Sequence, residues 1–472
     1  MVNGMMNAHL HGLLEDGKKQ AIRSGKNVLV SSVSEADITD VPSFFSFQAE
    51  RFGGSRFFWS EPGRDISFAG LGCALVIETD DPDRRFQMVE STWKEMAGTC
   101  LVDRDIPDYT GPLLFGGFSF DPDKPKSALW RHFPHARFVV PQYMLTFFHG
   151  KAWLTVNKLI SPSGDQEDGG EEPDWRGIKA DLTDQRLMAG KMKGKKIYKE
   201  EIAPADWMNS VVQAAASIRK GQLEKVVLAR QMRLFAEEPF YAEDILMRLL
   251  REQDNTYVFA IANGPDCFIG ATPERLIKGH GTRFQTLSLA GSIARGKTSR
   301  EDSELGDMLS HDGKNLHEHA LAVEMIKNVM MQLCEKVHVP ESPVLFKLKD
   351  IQHLSTPISG EAREGVSLLR AVEALHPTPA LGGMPRAKAI ETIRELERMD
   401  RGWYAAPIGW IDWKMNGEFA VAIRSALVQG KEASLFAGCG VMGDSDPVSE
   451  YHETALKFRP MLSALQALEA EA

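Results

Sequence analysis

From about residue 204 onward, the apolar positions recur with two periods in turn. In "DWMNSVVQAAASIRKG" (206–221), Trp207, Met208, Val211, Val212, Ala215 and Ile218 fall on one helical face, and Gly221 supplies a stop. "EKVVLARQMRLF" (224–235) reads as a strand and "YAEDILMRLLREQ" (241–253) as an amphipathic helix. "YVFAIA" (257–262) and "CFIGATPERLIKG" (267–279) read as paired strands. "NLHEHALAVEMIKNVMMQLCEKV" (315–337) is a long helix with an apolar stripe of Leu316, Ala320, Val323, Met330 and Leu333. "PIGWIDWKMNGEFAVAIRSALV" (407–428) gives two strands around Asn416-Gly417, a dipeptide suited to a tight hairpin, before "QGKEA" turns into "SLFAGCG". Successive hairpins among helices predict an α+β protein built on antiparallel sheets.

The first 160 residues are β-rich, with short aromatic runs such as "SFFSF", "SRFFW" and "LLFGGFSFDP", and are expected to contribute to the same sheets. Residues 161–203 read as a loop or linker followed by a basic segment. "SPSGDQEDGGEEPD" (161–174) cannot bury a core, and "LMAGKMKGKKIYKEE" follows it. The remainder, 204–468, is expected to carry the chemistry.

Composition narrows the function classes. With 65 acidic against 55 basic residues and a formal net charge of −10, the surface has no general attraction for nucleic acid or an anionic membrane. An anionic substrate would need basic residues concentrated in its site. Five cysteines without a C-x-x-C pair argue against a disulfide framework or structural zinc and fit a reducing cytoplasm. The N-terminus has no apolar core of signal-peptide length, and no run reaches the ~20 apolar residues of a membrane span.

"LFAGCGVMGDSDPVSEYHETALK" (435–457) contains the G-x-G-x-x-G spacing at Gly438, Gly440 and Gly443. A dinucleotide fingerprint needs a βαβ unit, whereas here the preceding strand belongs to a hairpin and a single helix follows, 447 to about 468, with Pro460 as a kink. Asp446-Pro447 is a good N-cap and first-turn pair, and Glu450, Glu453 and Lys457 share a helical face. They are either a solvated, dipole-complementing set or carboxylates for a cation such as Mg²⁺, with Lys457 offsetting substrate charge. Glu318 has apolar neighbours at Leu321, Ala322 and Met325, a costly setting unless it is paired or ligating. His317 and His319 read as packing or capping residues. Arg424 shares a strand face with Ala420, Ala422 and Ala426, leaving space for an anion or an internal glutamate. Lys225 opens an apolar strand, and Glu274 follows Thr272-Pro273 at a strand end.

Taken together, these segments resemble the chorismate-utilising enzymes, the family of anthranilate, aminodeoxychorismate, isochorismate and salicylate synthases. The matching stretches are "KVVLAR" (225–230), "FIGATPERL" (268–276), "LAGSIARG" (289–296), "LHEHALAVE" (316–324), "IQHLSTPISGE" (351–361), "LHPTPALGGMPRAKA" (375–389), "AVAIRSALV" (420–428) and the glycine-helix segment at 436–457. The N-terminal third matches only through "FGGFSFDP" (115–122). The resemblance implies two large antiparallel sheets packed between helices and a Mg²⁺-dependent enzyme acting on chorismate. Glu318 and Glu453 look like the Mg²⁺ ligands, with Glu450 in support. Arg424, the Gly438 backbone and Lys457 look like carboxylate anchors. Gly291 and Ser292 look like a backbone platform, with His353 as a further substrate contact.

Members of the family differ in the nucleophile added at C2 of chorismate as the C4 hydroxyl leaves. Water needs a base, and Lys225 stands where ammonia-using members have glutamine. Glu274 resembles the general acid, which burial would keep protonated. Ala290 occupies the place where the aminodeoxychorismate branch often carries a nucleophilic lysine. "HPTPALGG", with Ala380 and Leu381, looks like the isochorismate-synthase version of a segment that differs in the pyruvate-eliminating salicylate synthases. The expectation is an isochorismate synthase of the menaquinone type. It would be a monomer or weak dimer without a glutamine amidotransferase subunit. Salicylate synthase and the siderophore-pathway isochorismate synthases are the alternatives.

Overall fold

In the computed structural model, which describes residues 2–47, 52, 54–103, 105–163 and 196–466, the strands gather into two mostly antiparallel sheets of thirteen and ten strands, flanked by helices. The larger sheet runs from the edge strand Ile197–Glu201 through Lys225–Ala236, Glu432–Val441, Ser425–Gln429, Asp266–Thr272 and Tyr257–Asn263. It continues into Arg56–Ser60, Ile66–Leu71, Tyr143–Phe148, Lys151–Ile160 and Val28–Ala36. The smaller sheet joins Ile351–Ala362, Arg283–Ala294, Arg275–His280, Gly417–Val421 and Pro407–Asp412 to Leu113–Phe118, Ala136–Val140 and Leu75–Thr79. The chain before residue 160 therefore supplies strands to both sheets. Arg56–Ser60 is bonded to Tyr257–Asn263, and Leu113–Phe118 to Pro407–Asp412. Most of the stretch expected to be loop, 164–195, lies outside the described residues, while its last part, Ile197–Glu201, pairs with Lys225–Ala236 as a strand. No helix among the described residues is long and apolar enough to cross a membrane.

Period-two patterning fixes which face each aromatic serves. Phe57 and Trp59 point between the sheets, where Phe57 stacks on Phe115 of the other sheet at 4.1 Å. Phe58, one residue between them, lies in a second core with Phe44, Ile245 and Phe458. That core seats the helices Val41–Ser46, Ala242–Glu252 and Pro447–Ala464 on the outer face of the larger sheet.

Two segments read as continuous strands are broken, and both breaks matter. "CFIGATPERLIKG" leaves the larger sheet after Thr272 and enters the smaller one at Arg275, because Pro273 has no N–H to continue the ladder. "EFAVAIRSALV" makes the reverse crossing between Val421 and Ser425, where Arg424 adopts a left-handed φ of 51°. The strand alternation expected to place Arg424 beside Ala420, Ala422 and Ala426 does not apply across that break. The crossings are stitched together: Val421 N donates to Glu274 O (3.0 Å) and Ala271 N donates to Arg424 O (3.1 Å).

The helix Gly313–Leu333 is also rotated from the expected stripe. It buries His319, Ala322, Ile326, Met330 and Leu333 and leaves Ala320 exposed. The rotation follows from His319, whose ring nitrogens meet Ala290 O (3.1 Å) and Thr356 Oγ1 (2.7 Å) and so fix the inward face. His317 is exposed.

Candidate active site

The two crossings, the start of the strand Lys225–Ala236 and the end of Glu432–Val441 surround a cavity of about 120 Å³. Its wall contains Lys225, Glu274, Gly291, Ser292, Glu318, His353, Ala380, Leu381, Arg424, Gly438, Glu453 and Lys457. Of the residues to which the resemblance gives a role, Glu450 alone stands outside that wall, one helical turn from Glu453.

Lys225 is 2% exposed, and its Nζ lies 2.6 Å from Glu318 Oε1. The pair occupies space that Gly440 leaves open: a Cβ there would sit 2.7 Å from Lys225 Cε and 3.2 Å from Glu318 Oε1. Gly440 of the G-x-G-x-x-G run thus makes room for these two side chains. Gly438 contributes its carbonyl, which accepts from Lys457 Nζ at 2.9 Å.

The Glu274 side chain, in the same wall, is buried at the proline crossing. Burial, offset only in part by Arg424, Lys225 and Lys457, pushes its carboxyl up to about 7. Arg424 enters from the second crossing, with Tyr404, Glu453 and Glu274 as its electrostatic neighbours. Gly291 sits at a register shift in the ladder with φ 75°, a conformation glycine adopts without strain. This bulge presents Ser292, whose Oγ meets His353 Nδ1 at 2.7 Å and whose N–H is directed at Asn315 Oδ1. Burial, reinforced by the charges of Arg424 and Lys457, lowers His353 to about 3, so the imidazole is neutral at physiological pH.

The helix Pro447–Ala464 begins at Asp446, whose carboxylate accepts from Ser449 N at 2.8 Å. Although burial opposes it, Lys457 at 2.6 Å and Arg424 hold the Glu453 carboxyl below its usual range. Glu450 behaves oppositely: burial and the neighbouring Glu453 raise it, and its Oε2 is buried without a hydrogen-bond partner. Among the described residues, no three His, Cys, Asp or Glu side chains are already gathered as a metal cluster. Glu318 and Glu453 each face a lysine instead.

Among the polar and charged wall residues, sequence reasoning missed Asn315, Tyr404 and Arg401. Arg401 is 3% exposed and forms a buried pair with Glu397 (2.5 Å). It also donates to Leu381 O (2.9 Å) and Val227 O (2.8 Å), while Glu397 accepts from Ala229 N (2.7 Å). The pair therefore ties the Ala380–Leu381 loop to the lysine-bearing strand. At i,i+4 it reads as a surface helix pair. Nothing in the residue pattern marks it, or Tyr404, as part of the site.

A cavity holding four cations in an acidic protein, with a carboxyl poised near neutrality and a buried lysine in the same wall, is equipped to bind an anion and exchange protons with it. The family model for chorismate binding enzymes matches residues 16–466. Isochorismate synthase MenF of Bacillus subtilis is 43% identical, with 93% of each chain covered. The salicylate biosynthesis isochorismate synthase of Pseudomonas aeruginosa is 35% identical, covering 97% of this chain and 94% of its own. The fold is shared with the Escherichia coli enzyme MenF, described as the menaquinone-specific isochorismate synthase (TM-score 0.73, 24% identity, 97% and 100% covered). It is shared also with anthranilate synthase component I of Streptococcus pneumoniae (TM-score 0.61, 20% identity, 91% and 92% covered). With its family match spanning both sheets and the whole wall of the cavity, the chain belongs to the chorismate-binding enzymes.

Proposed function

We propose that the protein is an isochorismate synthase, converting chorismate to isochorismate by adding water at C2 with loss of the C4 hydroxyl. The observation that carries the reading is the placement of Lys225 and Glu274 in one cavity, with the Glu274 carboxyl near 7. Lys225 takes a proton from the attacking water as the new C2–O bond forms and the double bond shifts. Glu274 gives its proton to the departing C4 hydroxyl, and exchange with solvent restores both groups. Lys225 can serve only when Glu318, now 2.6 Å away, is engaged elsewhere. Arg424 and Lys457 hold substrate carboxylates, assisted by the Gly291–Ser292 backbone, and neutral His353 steadies Ser292. Ala380 and Leu381 close the wall around the substrate ring.

The residues fit Mg²⁺. The unpartnered Glu450 Oε2, the mutual repulsion of Glu450 and Glu453, and the all-oxygen character of Glu318, Glu450 and Glu453 match a hard divalent cation. Bound there, Mg²⁺ would offset the charge of a substrate carboxylate. Because water is the nucleophile, the reaction calls for no ammonia-supplying subunit, and the chain is read as a monomer or weak dimer. Its five cysteines are free, which suits a reducing cytoplasm. Menaquinone biosynthesis is the pathway favoured by the designation MenF, which the Bacillus relative shares with the menaquinone-specific Escherichia coli enzyme. Incubation with chorismate and Mg²⁺, without ammonia or glutamine, tests the activity. Isochorismate alone supports it, while salicylate with pyruvate would assign the protein to the salicylate synthases.

A further inference from the structure

The proline crossing is held by more than its backbone. Pro273 and Glu274 belong to neither strand: Thr272 ends one in the larger sheet, and Arg275 opens one in the smaller. The ladder beyond them is irregular, with a register shift between Arg275 and Ile277. Arg275 supplies a second fastening. While Glu274 lines the catalytic cavity, the Arg275 Nε lies 2.8 Å from the Tyr257 hydroxyl and 2.7 Å from Glu418 Oε1. Tyr257 stands on the larger sheet, paired with Thr272 in the ladder. Glu418 stands on the smaller sheet, in the strand whose Val421 N donates to Glu274 O. One guanidinium is therefore joined to a side chain of each sheet, next to the residue that carries the carboxyl.

Both partners are themselves fixed. Glu418 is fully buried and also accepts from the Tyr257 hydroxyl (2.7 Å) and from Lys278 Nζ (3.2 Å), which pairs in turn with Glu61 (2.9 Å). A carboxylate so completely buried is costly to part from its donors, which makes it a firm anchor. Tyr257 is 2% exposed and packs on Trp59 at 5.3 Å. The cations that act on the Glu274 carboxyl are Arg424, Lys225 and Lys457, all of the cavity wall. Arg275 thus reaches Glu274 through the backbone rather than through its charge. We propose that Arg275, gripped by Tyr257 and Glu418, is a positioning residue that fixes where the Glu274 carboxyl stands against the substrate. This rests on the reading of Glu274 as the general acid.

The test compares Tyr257→Phe, Arg275→Met and Lys278→Met in the full chain, by steady-state kinetics across pH beside calorimetry. Lys278→Met is the control: it takes a donor from Glu418 and lowers the Tm, yet leaves Arg275 with both its partners. Tyr257→Phe should lower kcat roughly tenfold and Arg275→Met roughly 100-fold, with KM for chorismate within about twofold, because the anion anchors are untouched. In both, a carboxyl loosened from its dry setting among Arg424, Lys225 and Lys457 loses protons more readily. The fall of kcat/KM should then begin at least about half a pH unit lower than in the parent. The double variant should be within about twofold of Arg275→Met, since both changes act on one grip. Lys278→Met should keep kcat within about twofold and leave the pH profile in place. Parent-like kcat and pH profile in Tyr257→Phe and Arg275→Met would overturn the proposal. So would an equal kinetic loss in Lys278→Met, which would make the network scaffolding alone. If Arg275→Met does not fold, Tyr257→Phe and its pH profile decide. Failure of the proposed activity shows separately, as a parent protein that makes no isochorismate. Carbon-13 NMR of glutamate-labelled protein, with the Glu274 signal identified by its loss in Glu274→Gln, then still reads whether that carboxyl titrates lower in Tyr257→Phe.

Discussion

Gly440 and Lys225 compete for one volume: any Cβ at position 440 would lie 2.7 Å from the lysine Cε and 3.2 Å from its Nζ. The atoms in the way are the far end of a flexible side chain, so the backbone need not move to accommodate them. Gly440→Ala should therefore fold with a Tm close to that of the parent while kcat drops by roughly 100-fold, the usual consequence of misplacing a reacting group by about 1 Å. Steady-state kinetics beside calorimetry reads both, and an active Gly440→Ala enzyme would show that Lys225 is not held where it acts.

Lys225→Gln removes the proposed base and leaves the amide a hydrogen-bond partner for Glu318. Isochorismate formation should fall by about 10²–10⁴. Normal formation by this variant would refute the assignment of the base.

Glu274 links rate to pH. Its carboxyl, near 7 in the fold, must be protonated to act, so kcat/KM should decline as pH rises through about 7, and Glu274→Gln should be slow without that decline. Stability moves the same way. A carboxyl raised from 4.5 to about 7 by folding stabilises the native state fully below about 4.5, and that contribution is lost as pH rises through about 7. Glu274→Gln should then gain on the parent by up to about 3 kcal/mol between pH 4.5 and 8 in urea denaturation. A constant difference across that range would place the group's pKa elsewhere.

For the cation, Mg²⁺ should raise the Tm of the parent protein and chelation should remove the activity. Glu453→Gln and Glu318→Gln should each weaken Mg²⁺ by roughly 10–100-fold in a direct titration. Unchanged affinity in both would remove these residues from the ligand set.

Arg401→Met leaves Glu397 buried without its cation and frees Leu381 and Val227 from their donor. Loss of about 3–5 kcal/mol is expected in chemical denaturation, and Glu397→Gln combined with it should recover part of the loss. Additive losses would show that the two side chains do not act as a unit.

Local pattern carried much of this structure and failed where the answer was tertiary. The strand from Lys225 and the helix bearing Glu450, Glu453 and Lys457 are legible because their period and caps are local. Arg424 was placed by strand alternation, a rule that stops at Val421, since the crossing depends on a second crossing 150 residues earlier in the chain. The face of the helix Gly313–Leu333 was misjudged because a buried histidine with two partners outweighs an alanine in choosing what turns inward. Arg401 and Glu397 carry the charge and spacing of a solvated pair, and only the sheet laid over them makes them internal.

The twin crossings also bear on how the protein opens. Glu274 and Arg424 are backbone partners of strands in opposite sheets, through Val421 and Ala271, so neither can be freed by fraying one edge. The amides of Val421 and Ala271 should exchange with solvent deuterium only through whole-molecule unfolding, whereas the edge strand Ile197–Glu201 exchanges early. In most enzymes the working residues belong to the least protected part of the chain. Here the proposed acid and the proposed anion anchor are fastened to the part that lets go last.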